Sequence, residues 1–463
     1  MTDAEWVLLL SRGQFALTMG MHITLAALTL GLAPFLVWFE ARWLWGQQNA
    51  AREALHFWIK IFALTVAIGA VTGVVMEFQF GTNWAPFSKK VGGFIGPLLF
   101  FEVLVAFFLE SALTGVMLFG MGKIRPGLHF CVTCLVAVGA LISAFWILAA
   151  NSWMQTPVNY SRDDNGVFSP VNWQALISAP SFPLRFAHMV LAAYIAVAVM
   201  IAGVAAWRVL HRPGESAARC MFVCAMWFAV VALPVQFVVG DRHGEKTLQY
   251  QPSKIAAIEA TWHPPAPGEG EPLRLFAIPD RRVQRNHFEL AIPDIGSLYL
   301  RHNLTGHIKS LSEFPADERP PVLPVFFAFR IMVGLGLLMF ITQLAAVIQH
   351  LRGRLYTSRR LLWLLVILSP AGFIAMLSGW VVTEMGRQPW IVHGLLRTAE
   401  SVSALPLSWL IISCCSVLAI YTVVFSYGMR HFLRYVAAPL PAGEEVVSTK
   451  IVTRPGGTSL WKD

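Results

Sequence analysis

The sequence predicts an all-α fold: a polytopic membrane protein with nine transmembrane helices, its N-terminus outside and its C-terminus cytoplasmic. Three observations lead there. Hydrophobic residues make up 56% of the 463-residue chain and charged residues only 13%, with a mean hydropathy of +0.60, far from the balance of a soluble globule. Nine apolar runs are each long enough to cross a hydrocarbon core about 30 Å thick. Lys and Arg gather at alternate ends of those runs, as the positive-inside rule requires. The formal charge of +9 therefore belongs to membrane-flanking loops and does not call for nucleic acid as a partner.

The runs cover approximately 15–39, 57–80, 93–120, 130–150, 184–207, 218–239, 323–349, 361–383 and 404–427. With the N-terminus outside, the cytoplasmic ends carry Arg42, Arg52, Lys60, Lys123, Arg125, Arg208, Arg212, Arg219, Arg352, Arg354, Arg359, Arg360, Arg430 and Arg434. The outer ends, leaving aside one long loop, carry Arg12, Lys89, Lys90, Arg162, Arg185, Arg387 and Arg397: fourteen against seven. The chain so divides into six spans (1–239), an outer-face loop (240–322), three spans (323–435) and a cytoplasmic tail (436–463). Within the loop, HPPAPGEGEP (263–272) predicts irregular backbone. The opening MTDAEW has no basic n-region, so the first run is expected to remain as a span. Six cysteines (Cys131, Cys134, Cys220, Cys224, Cys414 and Cys415) lie in or beside apolar runs. Cys131-x-x-Cys134 has no following His for haem attachment and no second pair for zinc, so all six read as small buried residues.

Ionisable residues inside the spans set the functional question, because each is costly in hydrocarbon. The stretch WVVTEMGRQPW (380–390) closes the eighth run, with Glu384 at its end, Arg387 three residues on, and Gly386 and Pro389 to stop the helix. His22 lies in the first run, Glu77 at the end of the second, Glu102 and Glu110 in the third, His188 in the fifth, and Arg330 and Met332 in the seventh. At about 1.5 Å per residue, the topology gathers His22, Glu77, Glu102, His188, Met332 and Glu384 in the outer half of the membrane. His and Met are both haem-iron ligands. A His/Met pair makes a closed electron-transfer site, whereas a His or carboxylate without a second strong ligand leaves iron open to O₂. Arg330 suits a haem propionate. Glu102 and Glu110 are separated by a rise of ~12 Å, which suits an inward-running proton relay. In the loop, QYQPSKIAAIEATW (249–262) offers Lys254 and Glu259 as a polar pair facing a lipophilic two-proton carrier, with Glu259 as proton acceptor.

These residues carry a resemblance. Six motifs, SRGQFALTMGMH at 11–22, FFEVLVAFFLES at 100–111, WILAANSWMQ at 146–155, QPSKIAAIEA at 251–260, FRIMVG at 329–334 and GRQPW at 386–390, make nearly the whole chain resemble subunit I of the cytochrome bd quinol oxidases. The resemblance implies that His188 and Met332 are the axial ligands of a low-spin haem b558. His22 and Glu384 match ligands of two high-spin haems, b595 and d, with the assignment between them left open. Glu102 matches an acid beside the high-spin pair. Glu110 and Ser111 match a proton or oxygen route, and Lys254 and Glu259 match quinol-site residues. Arg330 matches a residue near b558, Trp380 an aromatic between haems, and Arg387 an electrostatic partner of the haem cluster. The short loop is similar to that of the branch containing the cyanide-insensitive oxidases. The implied function is quinol oxidation at the outer face coupled to reduction of O₂ to water by haem and not copper. Proton motive force would arise without pumping, in a bacterial cytoplasmic (inner) membrane. The implied partners are a second subunit, a small single-span subunit, ubiquinol or another quinol, O₂ and membrane lipid. Two other classes fit parts of the pattern: a b-type dihaem membrane subunit of a quinone-reducing dehydrogenase, which leaves Glu384 unexplained, and a proton-coupled transporter using Glu102 and Glu110.

Overall fold

The computed structural model describes residues 2–266 and 268–439; of the expected cytoplasmic tail, residues 440–463 lie outside that range. Among the described residues, nine helical spans are long and apolar enough to cross a membrane. The first two are α1 (Asp3–Leu44) and α2 (Asn49–Gly81). The third is composite: α3 (Ala85–Val103), a π-helical segment (Leu104–Glu110) and α4 (Ser111–Phe119). Then come α5 (Pro126–Gln155), α6 (Phe182–His211) and α7 (Ser216–Tyr250). Two short helices, α8 (Pro252–Ile258) and α9 (Ile295–Arg301), belong to the long connection. The last three spans are α10 (Val322–Leu351), α11 (Arg359–Ile367) with α12 (Ala371–Met385), and α13 (Leu407–Ala437).

Local chemistry explains the ends. Thr2 and Glu5 cap α1 reciprocally: the Thr2 hydroxyl accepts from the Glu5 N–H at 3.3 Å and the Glu5 carboxylate accepts from the Thr2 N–H at 2.8 Å. Helix α7 continues past residue 239 to Tyr250, since its polar extension DRHGEKTLQY holds no strong breaker before Pro252. The eighth span is split at Ser369–Pro370, where proline has no N–H to give the ladder. Helix α12 ends at Met385, with the Gly386 N–H bonded back to the Val382 carbonyl. Beyond the spans, the described residues form three antiparallel hairpins: β1 (Tyr160–Arg162) with β2 (Phe168–Pro170), β3 (Leu273–Asp280) with β4 (Arg285–Ile292), and β5 (Trp390–Val392) with β6 (Leu396–Arg397).

Helix α6 is the axis of the bundle. In its most apolar stretch 78% of residues are buried inside the protein, against 11% for α13, which makes α6 central and α13 peripheral. The run of Ala, Val, Ile and Gly along α6 lets neighbours approach closely, the mode by which membrane helices pack where lipid is as apolar as they are. A Cβ added at Gly31 of α1 would lie 2.4 Å from the Ala193 carbonyl oxygen, and one at Gly372 of α12 2.4 Å from the Ala196 Cα. Gly203 stands in the same relation to Ser369, at 2.5 Å. Contacts with fixed backbone of this kind cannot relax by rotamer change. Gly31→Ala should therefore lower stability by about 1–3 kcal/mol, the usual cost of overpacking, read as a lower thermal midpoint in detergent. Gly13→Ala, where nothing lies within 4 Å of the added Cβ, should leave that midpoint unchanged or raised.

Candidate functional site

The end of α12 builds a dense polar cluster. One Glu384 oxygen accepts from Asn151 Nδ2 at 2.9 Å and Gln155 Nε2 at 3.3 Å, and the other is paired with Arg387. Asn151 and Gln155 are four residues apart on α5, so they share a face. Arg185, on the first turn of α6, donates to Asn151 Oδ1 at 3.4 Å. The Lys254 ammonium donates to Gln155 Oε1 at 2.7 Å and to the Thr383 carbonyl at 3.1 Å. Three buried cations, Arg185, Lys254 and Arg387, thus surround one carboxylate. Burial pushes the Lys254 ammonium well below its usual range, with Arg185 and Arg387 adding to the effect and Glu384 opposing it. Burial also lowers the Arg387 guanidinium, against the pull of Glu384. Arg185 Nε and Arg387 Nε and Nη1 are buried without a hydrogen-bond partner. A cation excess with unmet donors is what anionic ligand groups satisfy.

A second cluster forms around Glu259, which is fully buried just after α8. Its carboxylate accepts from the Tyr299 hydroxyl at 2.5 Å and from Arg330 Nη2 at 2.9 Å. Arg330 is further engaged by the carbonyls of Ile258 and Arg274 and lies 3.8 Å from the Phe326 ring centroid. Burial raises the Tyr299 phenol well above its usual value, with the Glu259 charge as the next cause. Lys254 and Glu259, expected as one pair, therefore serve two clusters. Five residues of helix turn them about 140° apart, and Arg330 goes to Glu259.

The candidate iron ligands share one local feature, a glycine opposite each. A Cβ at Gly73 would stand 3.2 Å from His22 Cε1, at Gly240 3.1 Å from His188 Cε1, and at Gly379 2.8 Å from Met332 Sδ. Side chains there would occupy the space beside each ligand. His22 Nδ1 is 3.0 Å from Thr72 Oγ1, whose own proton goes to the Gly69 carbonyl at 2.9 Å. The threonine can then only accept from the ring, so Nδ1 carries the hydrogen and Nε2 keeps its lone pair, the form that binds a metal. His188 Nδ1 is buried without a partner, while Gln236 Nε2 donates to the His188 carbonyl at 3.0 Å. Glu77, one turn beyond Gly73, also has a buried oxygen, Oε1, without a partner. Glu102 accepts from Ser143 at 3.1 Å, Glu110 is buried at the end of the π-helical segment, and Trp380 stands one turn before Glu384 on α12.

Imidazole, thioether and carboxylate donors, glycine-lined space and unmet cations together fit haem, whose iron takes such ligands and whose propionates need counter-charge. Asn151, Gln155, Arg185, Thr72 and Tyr299 were not singled out from the sequence as site residues. For Asn151 and Gln155 a signal existed: two amides at helical spacing in an otherwise apolar run. Thr72 and Tyr299 carry none that sequence displays.

Comparison with known proteins places the chain in a family. A sequence profile of the cytochrome bd terminal oxidase subunit I family matches residues 10–439. The cytochrome bd-II ubiquinol oxidase subunit 1 of Escherichia coli (strain K12) is 32% identical over 89% of this chain and 93% of that protein. The cytochrome bd ubiquinol oxidase subunit 1 of Bacillus subtilis (strain 168) is 33% identical, covering 86% of each. The structure of bd oxidase from Geobacillus thermodenitrificans superposes with a TM-score of 0.85 at 26% identity, covering 94% of this chain and 100% of that one. The chain belongs to the cytochrome bd terminal oxidase subunit I family and is a multi-pass membrane protein.

Proposed function

We propose that this chain is the haem-bearing subunit of a terminal quinol oxidase that oxidises quinol at the outer membrane face and reduces O₂ to water. The observation that carries the reading is the set of three buried cations around the single carboxylate of Glu384, with donor atoms left unmet. His188 and Met332 would hold haem b558; His22 and Glu384 would hold b595 and d. Haem, when bound, supplies the iron that accepts electrons one at a time and binds O₂. Arg185, Lys254 and Arg387 would neutralise propionates, and Trp380 would serve as the aromatic between haems. Thr72 orients His22.

At the outer face Glu259 is the proton acceptor for quinol. Tyr299 and Arg330 hold its carboxylate in place, and the accepted proton leaves to the outside. Glu110 and Glu102 pass protons from the cytoplasm toward the high-spin pair, with Ser143 steadying Glu102. Release outside and uptake from inside separate charge without a pump. This reading takes the N-terminus as outside and places the complex in a bacterial inner membrane. Subunit II and a small single-span subunit complete it, and the quinol is ubiquinol or a close relative. The connection at 240–322 supplies the quinol-binding unit between the six N-terminal and three C-terminal spans.

A dithionite-reduced minus air-oxidised spectrum of the purified complex, with haem extraction, tests the core of the reading. Haem d beside b haem is expected; b haem alone would point to a dehydrogenase subunit, and no haem would overturn the assignment. His188→Ala and Met332→Ala should each remove the low-spin absorption and quinol oxidation; retention of both signals would refute the ligand pair. Glu259→Gln should slow turnover with quinol on the order of 100-fold, the lower end of what losing a positioned proton acceptor costs. Turnover from an artificial donor that feeds the haems directly should hold, and equal loss with both donors would remove Glu259 from the quinol site.

A further inference from the structure

A buried ionisable pair that the preceding mechanism does not use lies at the opposite end of the bundle from Glu384. Glu40 is on the last turns of α1, His129 and Thr133 are on the first turns of α5, and Met117 is on the last turn of α4. These helix ends adjoin Arg42, Lys123 and Arg125, the basic flank that the positive-inside rule assigns to the cytoplasm. Glu40, His129 and Thr133 are all buried, the acid completely. His129 Nδ1 meets Glu40 Oε1 at 2.6 Å, and Thr133 donates to Glu40 Oε2 at 2.5 Å. His129 Nε2 donates to the Met117 carbonyl at 2.9 Å. A carbonyl only accepts, so that nitrogen keeps its hydrogen. The pair's exchangeable proton is then the one in the Nδ1–Oε1 contact.

The surroundings extend this contact inward. Glu110, Thr114 and Met117 succeed one another at helical spacing on the side of the third span that packs against α5, and all three are buried. Thr114 Oγ1 has no hydrogen-bond partner although it is shielded from solvent. Facing it, α5 carries His129, Thr133, Val136, Ala140 and Ser143 on one stripe, and Ser143 bonds Glu102. Two packed helices therefore bear polar groups from the cytoplasmic flank to Glu102, with one unmet hydroxyl between Glu110 and the pair. A buried ion pair is weak as a stabiliser, often no better than apolar residues of the same volume.

Resting on the quinol-oxidase reading, we propose that Glu40 and His129 form the cytoplasmic proton-loading site that supplies Glu110. The pair holds one exchangeable proton. It passes that proton along the α4–α5 face past Thr114 to the Glu110 carboxylate, and one proton from cytoplasmic water replaces it. No electron moves in the relay. Arg52, Glu53, His56 and Lys60 on α2 and Cys134 on α5 are further charged or titratable groups near this end; His56 interacts electrostatically with His129, and Cys134 with Glu40.

The test uses the purified complex and its Glu40→Gln, His129→Gln and Glu40→Asp variants. O₂ consumption from quinol is measured across pH and in heavy water, together with bound haem and the rate of anaerobic haem reduction by quinol. Both glutamine variants should lose turnover on the order of 100-fold, with an altered pH profile and a larger solvent isotope effect. Haem content and anaerobic reduction should be unchanged, and Glu40→Asp should restore most of the turnover. Full turnover with an unaltered pH profile in Glu40→Gln would overturn the proposal. So would parallel loss of turnover and haem in all three variants, which would make the pair a packing element. If the unaltered complex itself fails to oxidise quinol while binding haem, the quinol-oxidase reading falls and the relay falls with it.

Discussion

One carboxylate shared among three buried cations governs the architecture at the outer end of the bundle. Glu384 draws donors from four separate segments: Asn151 and Gln155 at the end of α5, Arg387 after α12, and through its amide neighbours Arg185 of α6 and Lys254 of α8. A charge removed from water must be met by opposite charge or by hydrogen bonds. Here one acid cannot meet three bases. The folded chain carries a positive surplus at this end, and the unmet N–H groups of Arg185 and Arg387 show where it is concentrated. Such a site is matched to an anionic ligand.

The close packing of α6 is what makes this arrangement precise. Side chains from α5, α6, α8 and α12 converge only because their backbones are held at short range, and Gly31, Gly203 and Gly372 provide that range. The same logic operates at finer scale at Gly73, Gly240 and Gly379, where absent side chains leave space beside His22, His188 and Met332. In a membrane, where burying apolar surface gives little advantage over lipid, small residues at helix contacts serve both purposes.

The sequence displays much of this, for reasons that can be traced. Nine apolar runs announce nine spans because a bilayer leaves few alternatives to a long apolar helix. Glu384, Arg387, His188 and Met332 stand out because polar or ligating side chains in such runs are rare. Partnership is harder to read. The division of Lys254 and Glu259 between two clusters depends on how α8 docks, and the union of Arg330 with Glu259 spans 71 positions of chain. The role of Asn151 and Gln155 appears only once α5 and α12 are side by side. Thr72 looks like any β-branched residue in an apolar helix until its hydroxyl is seen bridging Gly69 and His22. The far end of α7 runs on past its apolar run, because polar composition marks departure from lipid and not the end of a helix.

The π-helical turn between α3 and α4 has an evolutionary corollary. A π-helical segment accommodates an additional residue in a helix without interrupting the ladder on either side. Deleting one residue from 104–110 would leave a continuous α-helix and intact spans, so the alteration would be nearly silent to folding. Because each residue of a π turn rotates less than one of an α-helix, everything from Ser111 onward would keep nearly the same face relative to α3. Glu110, Thr114 and Met117 would stay on the side of α5, as would Glu102. Length variation in this one segment is thus a means by which the fold and the facing of the two acids persist while their spacing in sequence changes.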